Sequence, residues 1–307
     1  MVNKTLYEFL ISLRLSLSDV LNPANPSGLW PQAKLIEWTQ NGVISIGTYV
    51  PQELIIPISC IARQVLYDLP SGFRAPLRVE YPTGNDPPQF LLPGIAQAQS
   101  FNWRSRYSIE PSATLRGRKA IRISSTPLDD ESITVLYKGA HRSELVSRIT
   151  AATRASLCLI TWTNHGFITG DQVDIRDITL PGWSTLNGKY SITVVDPDTF
   201  TIPVDTSGYP AAYDPDRDLG SIYATLTLDD DCMELIIIYI SWCAQRERLN
   251  LSSQDPASTS LIISQYSSNA DRMWRNYTET ANRMAKQHME SGPTYSAWTM
   301  DGFDPIY

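Results

Sequence analysis

The sequence contains no stretch able to cross a bilayer as a helix. Its longest uncharged apolar run, Leu235 to Ala244, is about half what a span requires. The apolar patch near the N-terminus is interrupted by Glu8 and Arg14 and is followed by no small-residue cleavage site, so a soluble chain without a signal peptide or membrane partner is expected. Cysteine is scarce. Cys60, Cys158, Cys232 and Cys243 stand singly in apolar surroundings with no CxxC spacing, which speaks against a disulfide framework and for reduced core residues. The three histidines, His141, His165 and His288, fall in separate segments, so no metal site is expected. His165-Gly166 reads as a turn. The acidic run Asp214 to Asp218, even with Asp229 to Asp231, lacks EF-hand spacing and reads as solvated loop. No GxSxG, HExxH or phosphate-loop motif occurs, and neither a cofactor nor an enzymatic activity is expected.

Concentrated positive charge is also missing. Residues 1–150 carry 15 Lys and Arg against 12 Asp and Glu, residues 151–226 carry 4 against 9, and residues 227–307 carry 6 against 11. Such a chain cannot grip a phosphate backbone tightly or read its sequence. The one basic run, Arg116-Gly117-Arg118-Lys119, reads as a hairpin tip, and Arg116, Arg118 and Lys119 are candidates for contact with DNA or an acidic neighbour.

What is present suggests an α+β protein of about two domains, with cores large enough to need no staples. In residues 1–50, Leu6, Phe9, Leu10, Leu13 and Leu17 recur at helical spacing. A loop rich in Pro and Asn follows, and Pro31 suits the first position of a second helix running through Leu35, Ile36 and Trp38 toward Ile46. Residues 51–148 alternate in strand fashion at Val79 and Tyr81, at Ala120 to Ser124 and at Ser132 to Tyr137, with Pro- and Gly-rich turns between; a small antiparallel sandwich is expected. Residues 149–226 form a second β segment. Asn187-Gly188 signals a two-residue hairpin there, Asp196 to Thr199 signals a turn, and a compact barrel-like insert is expected.

Residues 227–290 read as two helices. The first starts at a capping-box-like Asp231 and Glu234 and is apolar on every side through Leu235 to Ile240, which implies burial all round. The second carries the stripe Ile262, Tyr266, Ala270, Met273, Tyr277, Ala281 and Met284, an eleven-residue period that keeps a long helix nearly straight. Asp271 with Arg275 and Glu279 with Arg283 are set for i,i+4 pairing. Such a helix, about 48 Å long at roughly 1.5 Å per residue, exceeds a small domain's core, so Ile262, Tyr266, Met273, Tyr277 and Met284 are candidates for packing between subunits. The tail, residues 291–307, holds Tyr295, Trp298, Met300, Phe303 and Tyr307 and no basic residue. Exposed, it is costly, so it either folds back on its own protein or docks on a partner.

This order of parts resembles the head-to-tail adaptor (connector) proteins of tailed bacteriophages. The resemblance is carried by Leu35-Ile36-Glu37-Trp38-Thr39-Gln40-Asn41-Gly42, by Val79-Glu80-Tyr81-Pro82-Thr83-Gly84-Asn85-Asp86-Pro87-Pro88, by Thr134-Val135-Leu136-Tyr137-Lys138-Gly139-Ala140-His141, and by the two long helices after them. Residues 150–225, with His165-Gly166-Phe167-Ile168-Thr169-Gly170-Asp171 and Leu186-Asn187-Gly188-Lys189-Tyr190, are similar to a β module of phage virion proteins. That module is similar in turn to a half-domain of ubiquitin-activating enzymes, without implying their chemistry. The resemblance implies a homo-oligomeric ring, commonly of twelve copies, under the portal protein in the virion neck. Double-stranded DNA would pass through the channel, a neck or tail protein would lie downstream, and Tyr295, Trp298, Met300, Phe303 and Tyr307 would dock on the portal. Synthesis in the bacterial cytoplasm follows. The alternative is a tail or baseplate component that binds a host glycan through its β modules, with Trp162 and Trp183 as the platform, although Trp162 lies in a strand and reads as core.

Overall fold

The computed structural model describes residues 4–19, 28–70, 72–94, 106–255 and 258–291. Among the described residues the fold is mixed α+β, with four α-helices and several sheets, nearly all antiparallel. Two compact units divide the chain: residues 1–50 with 142–307, and residues 51–141.

Helix α1 (Leu6–Ser16) starts from a capping box: Glu8 N donates to Thr5 Oγ1 and Thr5 N donates to Glu8 Oε2, so two amides without helical partners are satisfied together. Leu6, Phe9, Leu10 and Leu13 are buried, as their spacing predicts. After α1 the buried Asp19 pairs with Arg14 at 2.5 Å and accepts from Leu29 N, while Arg14 also donates to Trp30 O. Gly28 is required there. Its φ is +70°, and a Cβ would lie 2.6 Å from Asp19 Oδ1. Helix α2 (Gln32–Tyr49) takes Pro31 as its N-cap, so it begins one place later than expected, and it runs unbroken through Gly42 and Gly47. At Gly42 the reason is packing, since a Cβ would meet Tyr239 and Ile236 at 3.2 and 3.3 Å.

In residues 51–141, β1 (Gln52–Ser59), β2 (Leu66–Asp68), β3 (Phe73–Glu80), β4 (Leu92–Pro93), β5 (Arg106–Pro111), β6 (Lys119–Ile123) and β7 (Ser132–Gly139) form two sheets, ordered β1-β7-β3 and β2-β6-β5-β4. Strand β7 alternates without a break, sending Ile133, Val135 and Tyr137 into a core shared with Tyr67, Phe73, Val79, Ile121 and Ile123. Pro57 and Pro76 fall in β1 and β3, the edge strands of this sheet, where proline is tolerated, and the β3–β7 register shifts between Pro76 and Arg78. The β4–β5 pair is parallel.

The second β segment contains β8 (Val146–Arg148), β9 (Ala151–Ala152), β10 (Cys158–Thr161), β11 (Gln172–Arg176), β12 (Gly188–Ser191), β13 (Thr193–Asp196), β14 (Thr199–Ile202) and β15 (Ser221–Ala224). The strands form two four-stranded sheets, β13-β14-β10-β9 and β12-β11-β15-β8, around one core. No closed barrel is formed, which corrects the barrel-like expectation. Strand β8 pairs with β15, so residues 146–148 belong to this segment's sheet. The Asn187-Gly188 hairpin is also corrected. Residues Trp183–Leu186 form a 3₁₀ turn, and the Asn187 side chain bridges Ile178, accepting from its N at 3.1 Å and donating to its O at 2.9 Å. The Asp196 turn forms as expected, with Asp196 accepting from Asp198 N and Thr199 Oγ1 at 2.8 Å each.

Helix α1 and the β segment are joined closely. Thr5 and Thr225 form a β-bridge, Tyr7 packs on Tyr223, and Lys189 pairs with Glu8 at 2.9 Å. Burial alone would raise the Glu8 pKa, but the Thr5 amide and Lys189 outweigh it and hold the carboxyl below its ordinary value. Because the folded pKa is depressed, the stabilisation is present above the unfolded-state value and is lost as pH falls through the folded one. Glu8→Gln should therefore flatten the acid side of the curve of unfolding free energy against pH by well under about 1 kcal/mol, since the pair is part exposed. A mutant curve parallel to wild type throughout would count against this.

Helix α3 (Asp230–Gln254) is capped by Asp229, whose Oδ1 accepts from Cys232 N at 2.8 Å, rather than by the Asp231 and Glu234 box. Cys232, Met233, Leu235, Ile236, Ile240 and Ala244 are buried, each large aliphatic side chain among them contributing about 1.5–3 kcal/mol. Ile237, Ile238 and Tyr239 are only half-buried, so the helix is less enclosed than its apolar run suggests. Helix α4 (Ser260–Ser291) returns along α3; its 32 residues make about 48 Å. Neither Asp271 with Arg275 nor Glu279 with Arg283 pairs through the carboxylate; Arg275 Nε donates instead to the Asp271 backbone oxygen at 3.4 Å.

Candidate functional site

The α3–α4 hairpin holds the candidate subunit-packing stripe, and the structure divides that stripe in two. Tyr277 is fully buried within the protomer; its hydroxyl shares a 2.7 Å hydrogen bond with Ser45 Oγ, and its ring packs against Tyr49, Tyr239 and Trp274. Met284 is buried beside it in the core of the four helices. Both are therefore intramolecular, which corrects their assignment to a subunit seam. Ile262 is exposed, and Tyr266 and Met273 are half-buried, so these three remain available to a neighbour.

Two open grooves flank α4. The first, about 440 Å³, is lined by Asp231, Glu234 and Leu235 of α3 and by Thr280, Arg283 and Met284 of α4. The second, about 480 Å³, is lined by Trp242, Arg246 and Leu249 of α3 and by Ser267, Asp271 and Trp274 of α4. Asp271 and Thr280, like Trp274 and Arg283, are separated by two and a half helical turns, so the grooves open on opposite flanks of α4. Trp242 and Trp274 pack with ring centroids 4.6 Å apart, and Trp274 is 40% exposed. Arg246 lies over the Trp242 ring at 5.2 Å. Sequence reasoning missed this pair because Trp274 stands one residue off the stripe, and a tryptophan 32 residues away gives no periodic signal.

The other candidates separate as follows. Arg116 and Arg118 are exposed beside Gly117, whose φ is +80° in the β5–β6 turn. Lys119 is engaged locally, donating to Arg74 O at 2.8 Å and lying over the Phe73 ring. Trp162 and Trp183 are 2% and 1% exposed, so neither can serve as a glycan platform. His165 is buried rather than presented on a surface turn. Phe167 N donates to its Nδ1 at 2.9 Å, which places the ring proton on Nε2, facing Asp196 O at 3.1 Å. Next to it, Arg142 donates to Asp171 Oδ2 and Gly166 O at 2.9 Å each and covers the Phe167 ring. Burial lowers the Arg142 pKa, and Asp171 offsets part of that effect. Tyr295, Trp298, Met300, Phe303 and Tyr307 lie outside the described residues.

Among the described residues no His, Cys, Asp and Glu cluster could hold a metal ion, and no helix is long and apolar enough to cross a membrane. Burial raises the pKa of all four thiols, that of Cys243 to about 11. At neutral pH the native chain should therefore react with a maleimide at least about tenfold more slowly than the denatured chain, which exposes four thiols. Equal rates would show that burial does not protect them. The chain matches no protein-family model and no curated protein.

Proposed function

We propose that this protein is a structural virion protein, the head-to-tail adaptor of a tailed bacteriophage. Copies form a ring of twelve under the portal protein, double-stranded DNA passes through the channel, and a neck or tail protein binds on the far side. In this reading α1 to α4 are the protomer's helical bundle, the two sheets of residues 51–141 are its sandwich, and residues 149–226 are an inserted module. The observation that carries the reading is the loop end of the α3–α4 hairpin. The helical core runs along α3 to Ala244 and resumes on α4 at Tyr277, yet between them Leu251, Leu261 and Ile262 are 57%, 65% and 39% exposed. Exposed apolar side chains at the end of a helical hairpin are costly in water and suit packing between copies. A net charge of −7 supports passage of DNA without capture.

Electron microscopy and sizing of the purified chain, alone and with a portal protein, test the reading. Rings on the portal axis are the expected result. A chain that stays monomeric at every concentration and ignores the portal overturns it.

A further inference from the structure

The basic turn between β5 and β6 and the first groove beside α4 are complementary in charge and in apolar surface. We infer that the turn of one copy, residues 112–118, docks in the first groove of a second copy. Leu115 is the apolar knob, and Arg116 and Arg118 lie against Asp231 and Glu234.

Charge is divided along the chain to begin with. Residues 51–141 hold 10 Lys and Arg against 8 Asp and Glu, whereas the rest of the chain holds 15 against 24. The one basic run stands on the turn, where residues 113–118 are all exposed. The turn is nevertheless stiff. Asp68 accepts from Ser112 Oγ and Thr114 Oγ1 at 2.5 Å each, Leu115 N donates to Ser112 Oγ at 2.9 Å, and Ser112 N donates to Arg118 O at 2.9 Å. A turn held in this way loses little freedom on binding, so less of the gain from covering Leu115, 39% exposed, is lost to ordering.

The groove supplies the complement. Leu235, Ile238 and Met284 give it an apolar lining, and Asp231 and Glu234 stand exposed on its α3 side. Among the described residues none of Arg116, Arg118, Asp231 and Glu234 is in an ion pair. Arg118 meets Asp68 only at longer range. Arg283, on the α4 side, turns incoming guanidinium groups toward α3. The second groove suits the turn less, since Arg246 lines it and Asp271 is its one acid. Opposite charges around an apolar contact fix partner and register. The two surfaces differ, so each copy gives its turn to one neighbour and its groove to another. Such a contact closes into a ring when the rotation between copies allows it. It rests on the ring of the adaptor reading and names the surfaces that join its copies.

Charge exchange tests it. In sedimentation, Arg116→Glu with Arg118→Glu, and separately Asp231→Lys with Glu234→Lys, should each weaken self-association at least about tenfold. An equimolar mixture of the two variants should associate again, because each turn then meets a groove of opposite charge in the other chain. Docking within one chain gives no such rescue on mixing. Leu115→Ser, on the exposed turn, should cost association about tenfold or more with charge and Tm unchanged. If thermal melts show that the groove variant fails to fold, the turn variants decide alone. Wild-type association by the turn variants, or a mixture no better than its parts, overturns the inference and leaves the adaptor reading standing. Association through these surfaces by a chain that ignores a portal does the reverse, and a wild type that stays monomeric overturns both.

Discussion

Replacing Tyr277 with alanine is expected to destabilise the protein by about 3–5 kcal/mol, the cost of emptying the site of a large aromatic in a packed core. Tyr277 is fully buried where α2, α3 and α4 meet, with three aromatic rings around it. Tyr277→Phe keeps the packing and removes only the bond to Ser45, so about 0.5–1.5 kcal/mol is expected. Tyr266→Ala, at a half-buried position, should cost the monomer less than Tyr277→Ala and, on the adaptor reading proposed above, act mainly on association. Denaturant titration of the three variants decides the matter. A Tyr277→Ala loss no larger than that of Tyr266→Ala would return the whole stripe to the subunit interface.

On the adaptor reading proposed above, removing residues 291–307 is expected to abolish attachment to the portal, a loss of at least about 100-fold in affinity, since aromatic anchors carry binding energy out of proportion to their number. The monomer should keep its Tm within a few degrees, because no residue of the three described cores lies beyond Met284. Co-sedimentation with portal particles, alongside thermal melts, separates the two effects. Undiminished co-sedimentation would remove Tyr295, Trp298, Met300, Phe303 and Tyr307 as the anchor.

Periodic features were legible in the sequence. Leu6 to Leu13, the alternation in Ser132 to Tyr137 and the two C-terminal helices all stand where their spacing places them. What the sequence hid depends on partners distant along the chain. Asn187-Gly188 has the composition of a hairpin turn, but Ile178 captures the Asn187 side chain and a 3₁₀ turn results. Tyr277 and Ile262 look equivalent on the α4 stripe, yet only Tyr277 faces α2, a fact that no local pattern encodes. Trp162 and Trp183 could have been platform or core until the two sheets closed over them. The site is thus half readable: its helices follow from periodicity, whereas the Trp242–Trp274 groove exists only once the helices are packed.

The pairing of β8 with β15 sets how the second β segment bears load. Its chain enters through residues 142–146 and leaves through residues 224–228, and Val146 stands opposite Tyr223 in antiparallel register. Tension on these two ends would peel β8 from β15 one rung at a time, starting at Val146, instead of shearing all the rungs at once. The grip of Arg142 on Asp171 and Gly166, next to that first rung, therefore acts as a clasp that a pull must open before the sheet can unzip.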